Sequence, residues 1–147
     1  MNSLRRPWIQ FLTLSLALHG MAQAQDMSPA DLETAVHAVN EAQNQAIMAS
    51  ATPQDIERLF ELYAPNFVYE HAAYGGTYTR EQLKANSLRN FSAGRYKHKE
   101  ARYQIRRIIS GLNAAALERL QVHDGKLHLS VFEFSGGKVV KITEHWR

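Results

Sequence analysis

The sequence predicts an α+β domain in which three N-terminal helices pack on one face of a curved, mainly antiparallel sheet. Three observations support this class. The chain has 147 residues, 45% of them apolar and none of them cysteine, which suits one packed domain without a disulfide framework. Apolar residues recur at helical spacing as far as Gly94. Beyond Gly94 they alternate with a period of two, which is typical of strands.

Three capped helices are predicted in the first part of the chain. Ser28-Pro29 and Thr52-Pro53 each place a capping hydroxyl before a proline at the first helical position. Thr79 and Gln82 form a capping box at the start of the third helix. The expected helices run over residues 28 to about 50, 53 to 64 and 79 to 93.

Five strands are predicted. A short strand over residues 66–71 precedes a glycine-containing loop over residues 72–78. The four later strands are joined by short turns, which force antiparallel neighbours and therefore a meander. Their expected ranges are 96–109, 112–122, 126–134 and 138–146.

The last two hairpins determine which side chains face the helices. If each hairpin has a three-residue loop that ends in a glycine, most apolar side chains fall on one face of the sheet and most charged side chains on the other. A two-residue loop would mix them. In this register His128 lies opposite Glu144 and Ser130 opposite Glu118, on an otherwise apolar face, while Arg119 lies on the outer, charged face. Because a buried carboxylate without a partner is costly, the two carboxylates on this face are expected to be either paired or lining a cavity.

The N-terminal segment, residues 1–24, predicts a secretory signal peptide. It has a positively charged start, an apolar run over residues 8–18 and a small-x-small cleavage signal that ends at Ala24. The apolar run is shorter than the roughly 20 residues that span a bilayer. We therefore expect an exported mature chain that begins near Gln25, periplasmic in a Gram-negative host, with no retained membrane anchor.

The charge balance argues against a nucleic-acid partner. The chain has 17 Lys+Arg against 14 Asp+Glu, but Arg5 and Arg6 fall within the predicted signal peptide. The mature chain would therefore be close to neutral. The basic pair Arg106-Arg107 has no accompanying pattern of aromatic residues for base stacking.

The order of elements resembles a known superfamily. Two capped helices, the segment from Leu62 to His71, a third helix and a meander that ends Gly-Gly-Lys-Val-Val-Lys-Ile-Thr-Glu-His-Trp are similar to the nuclear transport factor 2-like superfamily, and within it to the SnoaL-like group. The resemblance covers residues 28–147. It implies a cone-shaped, cystatin-like fold with a pocket between sheet and helices, and commonly a homodimer. We therefore expect a single domain of this kind over residues 25–147.

Ketosteroid isomerases belong to that superfamily, and the resemblance to them implies a changed site here. Where those enzymes carry a general-base aspartate, this chain has His71, and where they carry an oxyanion-donor aspartate, it has Ser130. No tyrosine occurs in residues 28–51, where those enzymes carry one. Ketosteroid isomerase activity is therefore not expected, but His71 stays a candidate base because histidine titrates near neutral pH.

The candidate site residues form a catalytic and a ligand-binding set. The catalytic candidates are His71, Glu144 and His128, with Glu144 orienting His128 in an acid–base dyad. Each also has a structural interpretation. His71 would be a strand-end histidine that is hydrogen-bonded to a loop carbonyl, and His128 with Glu144 would be a buried pair that joins two strands. The ligand-binding candidates are Tyr69, Glu118, Ser130, Phe132 and Trp146.

No metal and no cofactor is expected. Histidines and carboxylates on the pocket face could bind a metal, but the sequence has no His-x-His or His-x-x-x-His pair. It also has no phosphate-binding glycine loop and no Gly-x-Ser-x-Gly nucleophile elbow.

Three functions stay open at the level of sequence. The first is an exported domain that binds a small, largely apolar molecule in the cone pocket. The second is a cofactor-free lyase or isomerase with His71 as its base. The third is an interaction module whose outer sheet face, with Leu127, Leu129 and Val131, forms a homodimer or partner surface.

Overall fold

The computed structural model of the protein describes residues 26–147. Three helices and six strands follow one another along this part of the chain, which confirms the predicted α+β class. The predicted signal peptide, residues 1–24, lies outside the described residues. Between residues 26 and 147, no helix has the length and apolar character needed to cross a membrane. The elements are α1 (Pro29–Gln45), α2 (Pro53–Glu61), β1 (Tyr63–His71), β2 (Gly76–Thr79), α3 (Arg80–Ser92), β3 (Tyr103–Ser110), β4 (Ala114–Gln121), β5 (Leu127–Ser135) and β6 (Lys138–Glu144).

The helices begin where the capping residues predict. The Ser28 side chain accepts a hydrogen bond from the third residue of α1, and Thr52 and Thr79 form complete capping boxes at α2 and α3. Helix α1 is shorter than predicted, however. The chain after Gln45 turns, and the Ala49 N–H donates to the His98 carbonyl at 2.8 Å, so this backbone serves a long-range contact instead of another helical turn.

The sheet has the order β2-β1-β6-β5-β4-β3, so the last four strands form the predicted meander. Strand β1 pairs with β6 in parallel and with β2 in antiparallel orientation. Strand β2 was predicted as loop. Strand β1 also starts earlier than predicted. It tolerates the exposed Pro65 because this residue falls at an irregularity in the ladder with β6. Strand β3 begins at Tyr103 instead of Tyr96.

The β4–β5 connection differs from the predicted three-residue loop. The Gln121 N–H donates to the Lys126 carbonyl at 2.8 Å, which leaves a four-residue loop, Val122–Gly125. A shift of one residue moves every side chain of β4 to the opposite face of the sheet. The prediction for β4 was therefore wrong: Arg119 faces the helices, and Glu118 is exposed on the outer face.

The β5–β6 connection also differs from the predicted three-residue loop, but the side chains of both strands still lie on the predicted faces of the sheet. Gly136 and Gly137 form a two-residue turn with φ of 56° and 75°, the left-handed conformation of a type I′ hairpin. A bulge next to Glu133 then restores the predicted faces of both strands. The predicted cross-strand pairs are nevertheless wrong, because Ser130 lies opposite Glu144 and His128 opposite Arg119.

The core fills the space between the helices and the sheet face that they cover, here called the inner face. Helix α3 contributes less to this core than α1 and α2, since none of its side chains is fully buried. It packs at the edge of the core through Leu83, Leu88 and Phe91, which are partly buried. The largest fully buried apolar side chains are Phe60, Phe67, Phe132, Leu32, Ile56, Leu117 and Ile142.

Candidate functional site

A cavity of about 250 Å³ lies between the helices and the inner face of the sheet. Because a cavity of about 150 Å³ holds one benzene molecule, this volume suits a molecule of one or two rings. The wall combines apolar side chains with aromatic and polar ones. Its residues are Gln43, Ile47, Leu59, Phe60, Tyr63, Tyr69, Leu83, Ser87, Arg102, Tyr103, Arg119, Glu144 and Trp146.

Arg119 is the most buried charged residue of this wall, with 1% of its surface exposed. Its Nη2 lies 2.7 Å from Glu144 Oε1 in an ion pair. Its Nε donates to Ser130 Oγ at 3.1 Å, and its Nη1 donates to Gln43 Oε1 at 2.8 Å. These contacts connect α1, β4, β5 and β6 through one guanidinium group, which offers a planar set of donors suited to such a network.

Two aromatic rings enclose the same guanidinium group. Its central carbon lies 4.2 Å from the centroid of the Tyr103 ring and 5.3 Å from that of Phe132. Cation–π contacts of this kind strengthen when the cation is removed from water. Arg119 is thus held by charge, hydrogen bonds and aromatic packing together.

Glu144 is committed to donors from three residues. Its Oε1 accepts from Arg119, and its Oε2 accepts from Ser130 Oγ at 2.6 Å and from Trp146 Nε1 at 2.7 Å. The predicted dyad with His128 is wrong, because no hydrogen bond joins these two side chains among the described contacts and the register separates them. The geometry supports the structural interpretation of Glu144 over a role in orienting a catalytic His128.

His128 packs against Trp146 instead. The two rings are stacked with centroids 4.1 Å apart and an angle of 10° between their planes. Its Nδ1 is buried without a hydrogen-bond partner in the described part of the chain. Burial lowers the pKa of His128 below its usual value near 6.5, the nearby Glu144 carboxylate opposes this shift, and Arg119 adds to it.

This pKa shift makes stability depend on pH. Below about pH 6.5 the unfolded chain binds a proton at His128 that the folded chain does not yet bind. Stability that is present above this pH is therefore lost as the pH falls towards the folded pKa. We expect the Tm to decrease on acidification from about pH 6.5 to 5, and to decrease less in His128→Phe, which keeps a ring against Trp146. Thermal unfolding of both proteins across this range tests the expectation, and parallel pH profiles would contradict it.

His71 lies beside the cavity wall and does not line it. Its ring packs against Tyr74 at 4.4 Å and meets the edge of Trp146 at 4.5 Å, between ring centroids. The residue is 7% exposed, and neither of its ring nitrogens has a hydrogen-bond partner within residues 26–147. The structure therefore places the predicted base next to Trp146, without the hydrogen bond to a loop carbonyl that the structural interpretation invoked.

The other predicted ligand-binding residues divide into two groups. Tyr69 and Trp146 line the cavity, as the prediction requires. Ser130 and Phe132 are fully buried and belong to the network and core beneath it, and Glu118 points away on the outer face. These last three are corrections to the prediction, and the position of Glu118 follows directly from the four-residue loop.

Sequence reasoning missed several polar cavity residues, among them Gln43, Arg102, Tyr103 and Arg119. One signal could have identified Arg119. A buried Glu144 requires a cation or several donors, and Arg119 is the only cation in the sequence of β4. The other three lie on elements whose approach to the cavity depends on the tertiary structure.

Two of the tyrosines that line the cavity have hydroxyls without a side-chain partner among the described residues. Neither Tyr69 nor Tyr103 forms a side-chain hydrogen bond through its hydroxyl within the part of the chain that the structure describes, whereas the Tyr63 hydroxyl accepts from Gln43 at 2.9 Å. Burial raises the pKa of both Tyr69 and Tyr103, so both stay protonated at neutral pH. In residues 26–147, no group of three or more histidine or acidic side chains is placed to hold a metal ion.

Solved structures share this arrangement of helices and strands. A SnoaL-like protein from Burkholderia thailandensis superposes with a TM-score of 0.62 at 18% identity, over 84% of this chain and 99% of that one. The fold is that of the nuclear transport factor 2-like proteins. The predicted resemblance is thus confirmed at the level of fold.

Two further solved structures agree with this fold. A nuclear transport factor 2-like protein from Burkholderia xenovorans is 23% identical and matches with a TM-score of 0.57, over 79% of this chain and 82% of that one. A protein with a cystatin-like fold from Methylobium petroleophilum is 17% identical, with a TM-score of 0.56 over 82% and 78%. All three are of unknown function, so they establish a fold and no activity. No protein-family model and no curated protein matches the sequence.

Proposed function

We propose that this protein binds a small, largely apolar molecule in the cavity between its helices and the inner face of its sheet. The observation that carries the proposal is the composition of the wall. Ile47, Leu59, Phe60 and Leu83 provide apolar surface, and a few polar groups converge beside them. Small-molecule sites have this combination, in which apolar area supplies affinity and few polar groups fix orientation.

The polar side of the cavity is already ordered before a ligand arrives. The Arg119–Glu144 pair is held by Ser130, Gln43 and Trp146 through bonds of 2.6 to 3.1 Å. A ligand therefore meets groups whose ordering does not have to occur during binding. Trp146 adds a flat aromatic surface to the wall, and Tyr69 adds a free hydroxyl.

The acid–base alternative receives no support from this geometry. His71 and His128 both contact Trp146 and neither lines the cavity, while Glu144 is occupied by protein donors.

Export and homodimerisation stay predictions from the sequence. Leu127 and Leu129, on the outer face, are 57% and 47% exposed.

Filling the cavity is expected to abolish binding. Ser87 reaches the cavity from α3, so Ser87→Trp places an indole in the space that a ligand would use. Ser92, at the end of the same helix, is exposed and lies away from the cavity wall, so Ser92→Trp is the matched control. Titration calorimetry with cinnamamide, an uncharged molecule with one ring, should show binding by the wild type and Ser92→Trp, and affinity at least about 100-fold weaker in Ser87→Trp.

Native mass spectrometry gives the same comparison for a natural ligand. Protein purified from its own compartment should retain a small molecule in the wild type and Ser92→Trp, and not in Ser87→Trp. Equal cinnamamide affinity in all three proteins, or a retained mass that is equal in all three, would contradict the proposal.

A further inference from the structure

We propose that the ligand of this cavity is a small monocarboxylate with an apolar body of about one ring, whose carboxylate lies against Arg102. This inference rests on the proposed function and specifies the chemical class of its ligand. It starts from the charges of the wall. Among the residues that line the cavity, only Arg102, Arg119 and Glu144 are charged.

Two of these charges neutralise each other. Arg119 and Glu144 form the buried ion pair at 2.7 Å. Arg102 forms no salt bridge or side-chain hydrogen bond within residues 26–147. The wall therefore carries one uncompensated positive charge, which an anionic ligand group would neutralise.

Arg102 places a second guanidinium group against the Tyr103 ring of the cavity wall. Its guanidinium carbon lies 4.9 Å from the centroid of the Tyr103 ring, the same ring that Arg119 approaches to 4.2 Å. Two guanidinium groups thus share one aromatic ring, and Glu144 is the one carboxylate among the described residues that line the cavity. The contact with Tyr103 also holds the half-buried Arg102 side chain near the cavity before any ligand binds.

The hydrogen-bonding groups of the wall favour the same ligand class. Glu144 accepts from three protein donors, and Gln43 Oε1 accepts from Arg119. The main acceptors are therefore occupied. The hydroxyls of Tyr69 and Tyr103 and the guanidinium of Arg102 stay free to donate. A ligand that supplies acceptors satisfies them, and a carboxylate supplies two oxygens that form strong, charge-assisted hydrogen bonds with such donors.

The size of the cavity sets the rest of the molecule. About 250 Å³ exceeds what one benzene ring needs and is below the range of most drug-sized sites. Ile47, Leu59 and Phe60 surround the remaining volume with apolar surface. A single ring or short aliphatic chain that bears one carboxylate fits both the volume and the distribution of polar groups.

The test compares cinnamate with cinnamamide, which have the same shape and differ in charge. Calorimetry at about pH 7 should show that the wild type binds cinnamate at least about tenfold more tightly than cinnamamide. In Arg102→Gln, cinnamate affinity should decrease by about tenfold, and cinnamamide affinity should change by less than about twofold. Arg106→Gln is the matched control, since it removes the same charge from an exposed position on β3 that does not line the cavity.

The outcomes separate this inference from the proposed function. Equal affinity for the two probes, or equal loss of cinnamate affinity in Arg102→Gln and Arg106→Gln, would overturn the carboxylate assignment while cavity binding stands. If neither probe binds at millimolar concentration, both proposals are overturned. A preference for cinnamate that disappears only in Arg102→Gln supports both.

Discussion

Replacement of Arg119 by methionine is expected to lower the free energy of unfolding by about 3–5 kcal/mol. The substitution leaves the Glu144 carboxylate, 4% exposed, without its cation at 2.7 Å. Only the neutral donors of Ser130 and Trp146 would remain at that carboxylate. An uncompensated buried charge is far more costly than the net contribution of an intact pair. Urea denaturation followed by circular dichroism measures the change.

Two further variants isolate the cause. In the double variant Arg119→Met/Glu144→Leu no charge is left unpaired, so most of the lost stability should return. Arg106→Met removes an exposed arginine from β3 and should change stability by less than about 0.5 kcal/mol. A loss below about 1 kcal/mol in Arg119→Met, or a double variant less stable than Glu144→Leu alone, would contradict the buried-pair interpretation.

Replacement of Phe132 by alanine is expected to destabilise the protein by about 3–5 kcal/mol. Phe132 is fully buried, with 0% of its surface exposed, and its ring packs in the core beneath the Arg119 guanidinium. Truncation removes a large apolar side chain and leaves a void that a close-packed core fills only in part. Thermal and urea unfolding of the purified variant measure the loss.

The same position distinguishes a core residue from a ligand contact. Phe132→Leu keeps most of the apolar volume and should lower stability by only about 1 kcal/mol. Its affinity for cinnamamide should stay close to that of the wild type, because Phe132 does not line the cavity. If Phe132→Ala unfolds like the wild type but loses cinnamamide binding, the core assignment is wrong and the original ligand-binding prediction is correct.

Local sequence signals determined much of this fold. Capping residues such as Ser28, Thr52 and Thr79 mark the helix starts because they bond the free backbone N–H groups there. The change to a period of two after Gly94 and the glycine-containing turns predict the meander, since short connections permit only antiparallel neighbours. The order of these elements was sufficient to indicate the nuclear transport factor 2-like fold.

Some features of the candidate site also followed from the sequence. Tyr69 and Trp146 were predicted to face the pocket, and both line the cavity. Strand β6, which leads to Trp146, keeps its predicted faces even though the register differs, because the bulge next to Glu133 offsets the shorter turn. Alternation along one strand is a local property, so it survives an error in the pairing between strands.

The tertiary structure alone decided which residues meet. A four-residue loop in place of a three-residue one moved Arg119 into the site and Glu118 out of it, because one residue of shift reverses every side chain of β4. The parallel pairing of β1 with β6 joins segments about seventy residues apart. Periodicity and turn residues specify the local conformation of a chain. The register between distant strands depends instead on the packing and the charge compensation that each alternative register permits, such as a cation beside Glu144.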